Sequence, residues 1–214
     1  MLLLLSGPAM AETWIVTLGD RQIGTVSLER GANGALTLTS LLDATPLGLA
    51  DGSFTGRSFP AITPEGRPVT QYLGESSSPG KARNISVLTD GGLPVQTRVE
   101  PPSDATALSD PEAVPGQVLN PLEAFARIAG LRDCPEALRY YDGRRIIEIL
   151  FKNKEMTGDS LHCAMDYRVV GGPGHLSPFR FRSVAMALDF SGAGPFTLHR
   201  IALSAGGFTV TLHR

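Results

Sequence analysis

Residues 133–151 read DCPEALRYYDGRRIIEILF, and the turn in the middle decides how the rest of the chain is read. Asp142-Gly143 is a favoured pair for a two-residue hairpin of type I′. Flanking residues then pair directly: Tyr141 with Arg144, Tyr140 with Arg145, Leu138 with Ile147. Paired residues share a face, so Leu138, Ile147, Ile149 and Phe151 point one way, toward a core. The following segment repeats the period. Leu161, Cys163, Met165, Tyr167 and Val169 alternate with His162, Ala164, Asp166 and Arg168. A period of two on successive segments specifies an antiparallel sheet.

Tyr140, Tyr141, Arg144 and Arg145 form a compact aromatic and basic cluster at this tip. Two readings stay open for it: cross-strand Tyr–Arg pairing on a solvated edge, or a surface that docks an anionic headgroup or acidic partner. Cys163 lies among inward residues. Cys134 has the parity of Leu138 if that strand extends back through Pro135. A disulfide between the two would close about 30 residues and contribute roughly 3 to 4 kcal/mol. Two buried free thiols are the alternative.

Working outward, residues 12 to 30 predict a hairpin in which Trp14, Val16 and Leu18 face one way and GDRQ turns the chain. On the return strand the parity slips between Ile23 and Val26, which places a β-bulge at Gly24. Residues 34 to 44 and 52 to 59 read as further strands. Residues 60 to 82, with Pro60, Pro64, Pro68, Pro79 and a run of serines, read as a long connection. RNISVLTDGGLPVQTRVEPP is a second hairpin turning at Gly91-Gly92, and residues 100 to 118 are a proline-rich loop. NPLEAFARIAG predicts the one convincing helix, capped by Asn120, begun by Pro121 and ended at Gly130. Strands follow at 138–141, 144–152, 161–170, 180–190, 196–203 and 208–214. About ten strands and one short packed helix make the chain all-β. The expected architecture is an open or flattened β-barrel, with a β-sandwich as the alternative.

Composition narrows the function. Of 214 residues, 42% are hydrophobic and 19% charged, which suits a globular domain with a real core. The net charge of −2 gives no electrostatic case for nucleic acid or an anionic membrane. The opening MLLLLSGPAMA has four leucines, a Gly-Pro break and the small-x-small ending Ala9-Met10-Ala11. It resembles the back half of a signal peptide without its basic front. We therefore expect a true start upstream, a signal-peptide-like segment over 1–11, a single β-rich domain over 12–214, and a periplasmic or secreted location. That compartment permits the Cys134–Cys163 bond. A transmembrane helix needs roughly 20 apolar residues, and no such run exists.

The order of pieces resembles a family of exported bacterial envelope proteins known as domain of unknown function 3108. The resemblance is carried by WIVTLGDRQIGTVSLE, ISVLTDGGLPVQTRVEPP, AVPGQVLNPLEAFARIAGLRDC, YDGRRIIEILF and LHCAMDYRVVGG, and covers nearly the whole mature chain. Asn-Pro-Leu-Glu-Ala-Phe and Tyr-Asp-Gly-Arg-Arg are its most specific marks. The segment after HLSPFRFRS departs from the pattern by being weak or short. The resemblance implies an exported β-rich protein and no established activity.

His162, His175, His199 and His213 are scattered without metal-ligand spacing. GESSS lacks the closing glycine of a nucleophile elbow. VVGGPGHL links strands and reads as a turn rather than a phosphate loop. The sequence therefore points away from an enzyme and calls for no cofactor or metal. It suggests a binding or carrier module for a hydrophobic small molecule or lipid, or else an interaction module for an envelope protein. An enzyme with a non-obvious site is the third class. An apolar pocket would favour the first, a filled core the second, and a buried, perturbed polar cluster the third.

Overall fold

The computed structural model of the protein describes residues 10–45, 51–175 and 181–214. Most of the signal-like segment, residues 1–9, lies outside the described residues, as do positions 46–50 and 176–180, the latter within HLSPFRFRS. The first half of the chain is a meander: β1 (Met10–Leu18), β2 (Arg21–Arg30), β3 (Leu36–Leu42), β4 (Gly52–Ile62), β5 (Pro68–Ser78), β6 (Lys81–Asp90) and β7 (Leu93–Glu100). Short 3₁₀ turns and α1 (Pro121–Ala129) follow. A second meander runs through β8 (Ala137–Tyr141), β9 (Ile146–Thr157), β10 (Ser160–Gly171), β11 (Ser183–Ser191), β12 (Thr197–Ala205) and β13 (Phe208–His213). β13 pairs with β1 from Ile15↔His213 to Leu18↔Val210. The two meanders thus fuse into one sheet of thirteen described strands, ordered β7-β6-β5-β4-β3-β2-β1-β13-β12-β11-β10-β9-β8. One continuous antiparallel sheet replaces the β-sandwich alternative.

The sheet's two edges, β7 and β8, are neighbours in sequence, and the connector between them fills the seam. Val118 N donates to Gly92 O at 2.9 Å, Leu119 N to Arg139 O at 3.0 Å, and Tyr141 N to Leu119 O at 2.9 Å. The β8 residue Tyr141 also shares a hydrogen bond with Thr97 of β7, at 3.1 Å. The barrel stays open at the level of strand pairing, yet both edges are covered, which removes templates for edge-to-edge aggregation. Trp14, Leu28, Tyr72 and Val87 from the first meander join Tyr141, Ile147, Leu161, Leu188 and Phe190 from the second in one buried cluster.

α1 forms where its caps predict. Asn120 Oδ1 accepts from Leu122 N and Glu123 N, and the Glu123 carboxylate accepts from Asn120 N, a reciprocal capping box. The Asn120 amide also donates to Ser58 Oγ at 2.8 Å, tying the helix start to β4. Leu122 and Ile128 are buried, and Phe125 is partly buried.

Four expectations need correction. Residues 60–82 are no loop. β4 continues to Ile62 and β5 spans Pro68–Ser78, with Pro60↔Thr70 and Ile62↔Pro68 in register. The prolines fit because Pro60 lies past Ser58, where β3 no longer flanks β4, and Pro68 is the first residue of its strand. The β8–β9 turn is centred one residue later than the Asp-Gly rule places it. Asp142 N donates to Arg145 O, so Gly143-Arg144 occupy the turn and Tyr141 pairs with Ile146. The Asp142 carboxylate enforces this by accepting from the backbone N–H groups of Arg144 and Arg145. Gly143 has φ +93°, and a Cβ there would lie 2.4 Å from the Ile85 side chain. The slip along β9 is two residues, an even number, so Leu138, Ile147 and Ile149 still share the inner face.

Phe151, in contrast, is 43% exposed, because β9 outruns β8 after Leu150 and its register slips beside Phe151. Finally, Cys134 is not on a strand. The chain before β8 leaves the sheet and reaches past β9 to Cys163 on β10. The expected bulge in β2 is present. Val16 faces Gly24 and Thr17 faces Gln22, leaving Ile23 as the extra residue. A Cβ on Gly24 would stand 1.9 Å from the Leu41 carbonyl oxygen, so only glycine lets β3 approach.

Candidate functional site

The inner face of the curled sheet is incompletely filled. A cavity of about 570 Å³ lies between α1 and the inner residues of β1–β4 and β11–β13. Its walls are almost wholly apolar. Val184 and Met186 come from β11, Ile201 and Leu203 from β12, Val210 and Leu212 from β13. These positions follow the period of two, so the apolar stripe that makes each strand fold also makes the wall. Leu122, Phe125 and Ile128 of α1 face them across the space. The partial burial of Phe125 has its cause here, since its ring borders the cavity.

The two ends differ. At one, α1 is pinned as a plug. Arg30 donates to Ala126 O at 2.9 Å and Arg214 to Ala129 O at 3.0 Å, satisfying carbonyls of the last helical turn. Glu12 pairs with both arginines, Arg214 lies over the Trp14 ring at 4.4 Å, and Trp14 meets Phe125 edge to face. At the far end of β1 and β2, Gly19 N donates to Thr209 O and brings two hairpin tips together. Leu18, Thr45, Phe181 and Phe208 line the cavity there, and Phe208 is 55% exposed. Thr45 donates to Asp51 through its backbone N–H and its hydroxyl, at 2.9 and 2.6 Å.

Away from Thr45, the polar side chains of the described wall gather on one side. Tyr140, Tyr167 and His175 border the cavity and are joined by a chain of hydrogen bonds. The Tyr140 and Tyr167 hydroxyls are 2.8 Å apart, Tyr167 Oη is 2.6 Å from His175 Nε2, and His175 Nδ1 is 2.8 Å from the Arg145 guanidinium. Arg145 in turn donates to Asp142 at 2.7 Å. Burial works against the Arg145 charge, but the Asp142 carboxylate together with Tyr167 and Tyr140 holds the pKa above its ordinary value. Burial, then the neighbouring Arg145 cation, pushes His175 down from 6.5 to about 4. Burial also raises Tyr167 to about 12 and Tyr140 well above its ordinary value.

The His175 shift makes stability depend on pH. Between about 4 and 6.5 the unfolded chain binds the extra proton and the folded chain does not. The contribution is therefore complete above about pH 6.5 and disappears as pH falls toward 4, a loss of about 2 to 3 kcal/mol. Urea melts at about pH 7.5 and about pH 4.5 should show this loss, and His175→Gln should flatten it. An equal loss in the variant would assign the slope to other groups.

These contacts relocate the aromatic and basic tip. Tyr141 is 1% exposed, and its hydroxyl donates to the Leu108 carbonyl. Arg144 donates to the Asp104 carbonyl, and Thr106 Oγ1 donates to the Arg144 carbonyl at 2.9 Å. Arg145 and Tyr140 belong to the inner chain. The four residues are thus built into the seam and the cavity wall, not displayed as a solvated edge. Cys134 and Cys163 are joined as a disulfide, with Cα atoms 5.6 Å apart. Tyr167 and His175 complete the polar chain, and sequence reasoning passed them over. Tyr167 carried a signal, since an inward tyrosine needs a partner for its hydroxyl. His175 carried none, because its place beside Tyr167 depends on the loop after β10.

Among the described residues no cluster of three or more His, Cys, Asp or Glu is placed to hold a metal ion. No helix among them is long and apolar enough to cross a membrane. The fold and site together define a class: an all-β, barrel-like antiparallel sheet, plugged by one helix, around an apolar cavity. No family model and no curated protein matches the chain, so the likeness to domain of unknown function 3108 rests on the quoted motifs. Among solved structures, the chain is similar to a β-barrel-like protein of domain of unknown function DUF1849 from Brucella abortus. The identity is 10% over 96% of this chain and 95% of that one, with a TM-score of 0.46.

Proposed function

We propose that the protein is a non-catalytic binding or carrier module of the bacterial envelope, holding a hydrophobic small molecule or lipid. The observation that carries this is the apolar cavity of about 570 Å³, inside the range of ~300–1,000 Å³ common for small-molecule sites. A module that worked only through its surface would gain nothing from the unfilled space, which forfeits packing contacts along every wall. The polar chain suits orientation rather than reaction. Tyr167 keeps its proton and His175 stays uncharged at neutral pH, so their hydrogen bond joins two neutral groups. The disulfide supports an oxidising compartment, in keeping with export.

Filling the cavity tests the proposal. Leu203 on β12 lies between Met186 and Val210, and all three line the wall. Leu203→Trp should reduce binding of an apolar fluorescent dye at least about tenfold, at an unchanged melting temperature. Native mass spectrometry of protein taken from the periplasm should show a bound small molecule in the wild type and lose it in the variant. Undiminished dye binding by a folded Leu203→Trp protein would place the ligand elsewhere and refute the proposal.

A further inference from the structure

The hydrogen bonds running from Arg145 to Tyr140 do not close on themselves, and their hydrogens can be counted. A guanidinium only donates, so Arg145 donates to His175 Nδ1. With Nδ1 accepting, the neutral ring carries its hydrogen on Nε2 and donates to the Tyr167 hydroxyl oxygen. Between Tyr167 and Tyr140 one hydroxyl donates to the other. Two hydroxyl hydrogens thus serve a single bond. Whichever way it runs, one is left without an acceptor among the described residues, and both rings border the cavity. A buried donor without an acceptor is costly, so an acceptor belongs in that space.

Charge narrows the choice of acceptor. Arg145 and Asp142 neutralise each other, with the guanidinium and carboxylate 2.6 Å apart. The imidazole and both phenols carry no charge at neutral pH. The polar end of the cavity therefore offers one hydrogen-bond donor and no net charge. An ionised carboxylate there would lose its hydration with no unpaired cation to replace it. A carbonyl oxygen needs only the donor that is present.

We propose that the cavity takes an uncharged acyl ester, whose carbonyl oxygen accepts from the Tyr140–Tyr167 pair while its chain lies along the inner residues of β11–β13. The proposal rests on the carrier function above and specifies its ligand. Methyl laurate, ionised laurate and dodecane share a chain and differ at the polar end, so they are the probes. In displacement of an apolar dye, methyl laurate should compete about fivefold better than dodecane, the worth of one net hydrogen bond. It should compete about tenfold or more better than laurate at neutral pH. The infrared carbonyl band of the bound ester should lie below its frequency in alkane solution.

Tyr140→Phe with Tyr167→Phe removes both hydroxyls that face the ester, so the band shift and the ester's advantage over dodecane should diminish. Equal binding of ester and dodecane by the wild type, an unshifted carbonyl band, or tightest binding of laurate would overturn the proposal and leave the carrier function standing. A wild type that binds none of the three and does not bind the dye would overturn both. The wild-type measurements decide the matter even if the double variant fails to fold.

Discussion

Replacing Arg145 by alanine is expected to destabilise the protein by about 3 to 5 kcal/mol, the cost of leaving one member of a buried ion pair without its partner. Side-chain exposure is 18% for Arg145 and 12% for Asp142, so solvent screens the pair weakly. Arg145 also donates to His175 Nδ1, so its loss removes the anchor of the polar chain as well as the counter-ion. Two backbone N–H groups still reach Asp142 in the variant, which keeps the cost within the range above. Urea melts should show a lower midpoint with an unchanged slope. Arg145→Lys should recover only part of the loss, because an ammonium cannot serve the carboxylate and the imidazole with one planar fork. Arg144→Ala is the contrast: its guanidinium donates to the Asp104 carbonyl, worth about 1 to 3 kcal/mol. A change below about 1 kcal/mol for Arg145→Ala would show that water reaches Asp142 and that the seam is not buried in solution.

That expectation reverses what the sequence suggests, and the reason is topological. From the sequence, Tyr140, Tyr141, Arg144 and Arg145 flank a tight turn, and the tip of a hairpin is ordinarily solvated. The alternation in 138–151 does place Leu138, Ile147 and Ile149 on one face, and it survives the slip in register because the slip is even. What the alternation cannot show is that this hairpin forms the edge of a curled sheet. There Ile85 of β6 packs against its turn, and Leu108 accepts from Tyr141. Those contacts join residues more than thirty positions apart through a loop without periodicity.

The helix was legible because its caps are local. The strand over Pro68–Ser78 was hidden by prolines tolerated only at the exact ladder positions they occupy. The cavity was illegible for a third reason. A strand whose inner residues line an empty space has the same pattern as one whose inner residues touch.

Removing the disulfide is the other change expected to be large. Cys134 and Cys163 are 29 positions apart, and constraining a loop of that size in the unfolded chain contributes roughly 3 to 4 kcal/mol. Most of this should appear as a loss of stability and little as a loss of structure. The strand ladders β8–β9 and β9–β10 run independently of the bond, which links the segment before β8 to β10 across the intervening strand. Cys134→Ala with Cys163→Ala is the proper variant. Cys163 is 0% exposed among apolar neighbours, where a serine hydroxyl would add the cost of an unsatisfied polar group. Circular dichroism should retain its β signature while the urea midpoint falls. Reducing the wild type with dithiothreitol should reproduce the shift, and thiol titration of the denatured protein before and after reduction should rise from zero to two. Local contacts on the same segment set the lower bound. Arg132 still donates to Phe196 O and Thr197 Oγ1, and Lys154 still pairs with Asp133 at 2.6 Å, but these groups are exposed and worth about 1 kcal/mol or less each. If both the alanine variant and the reduced wild type lose under about 1 kcal/mol, those contacts suffice to hold the segment and the covalent link adds no stability of its own.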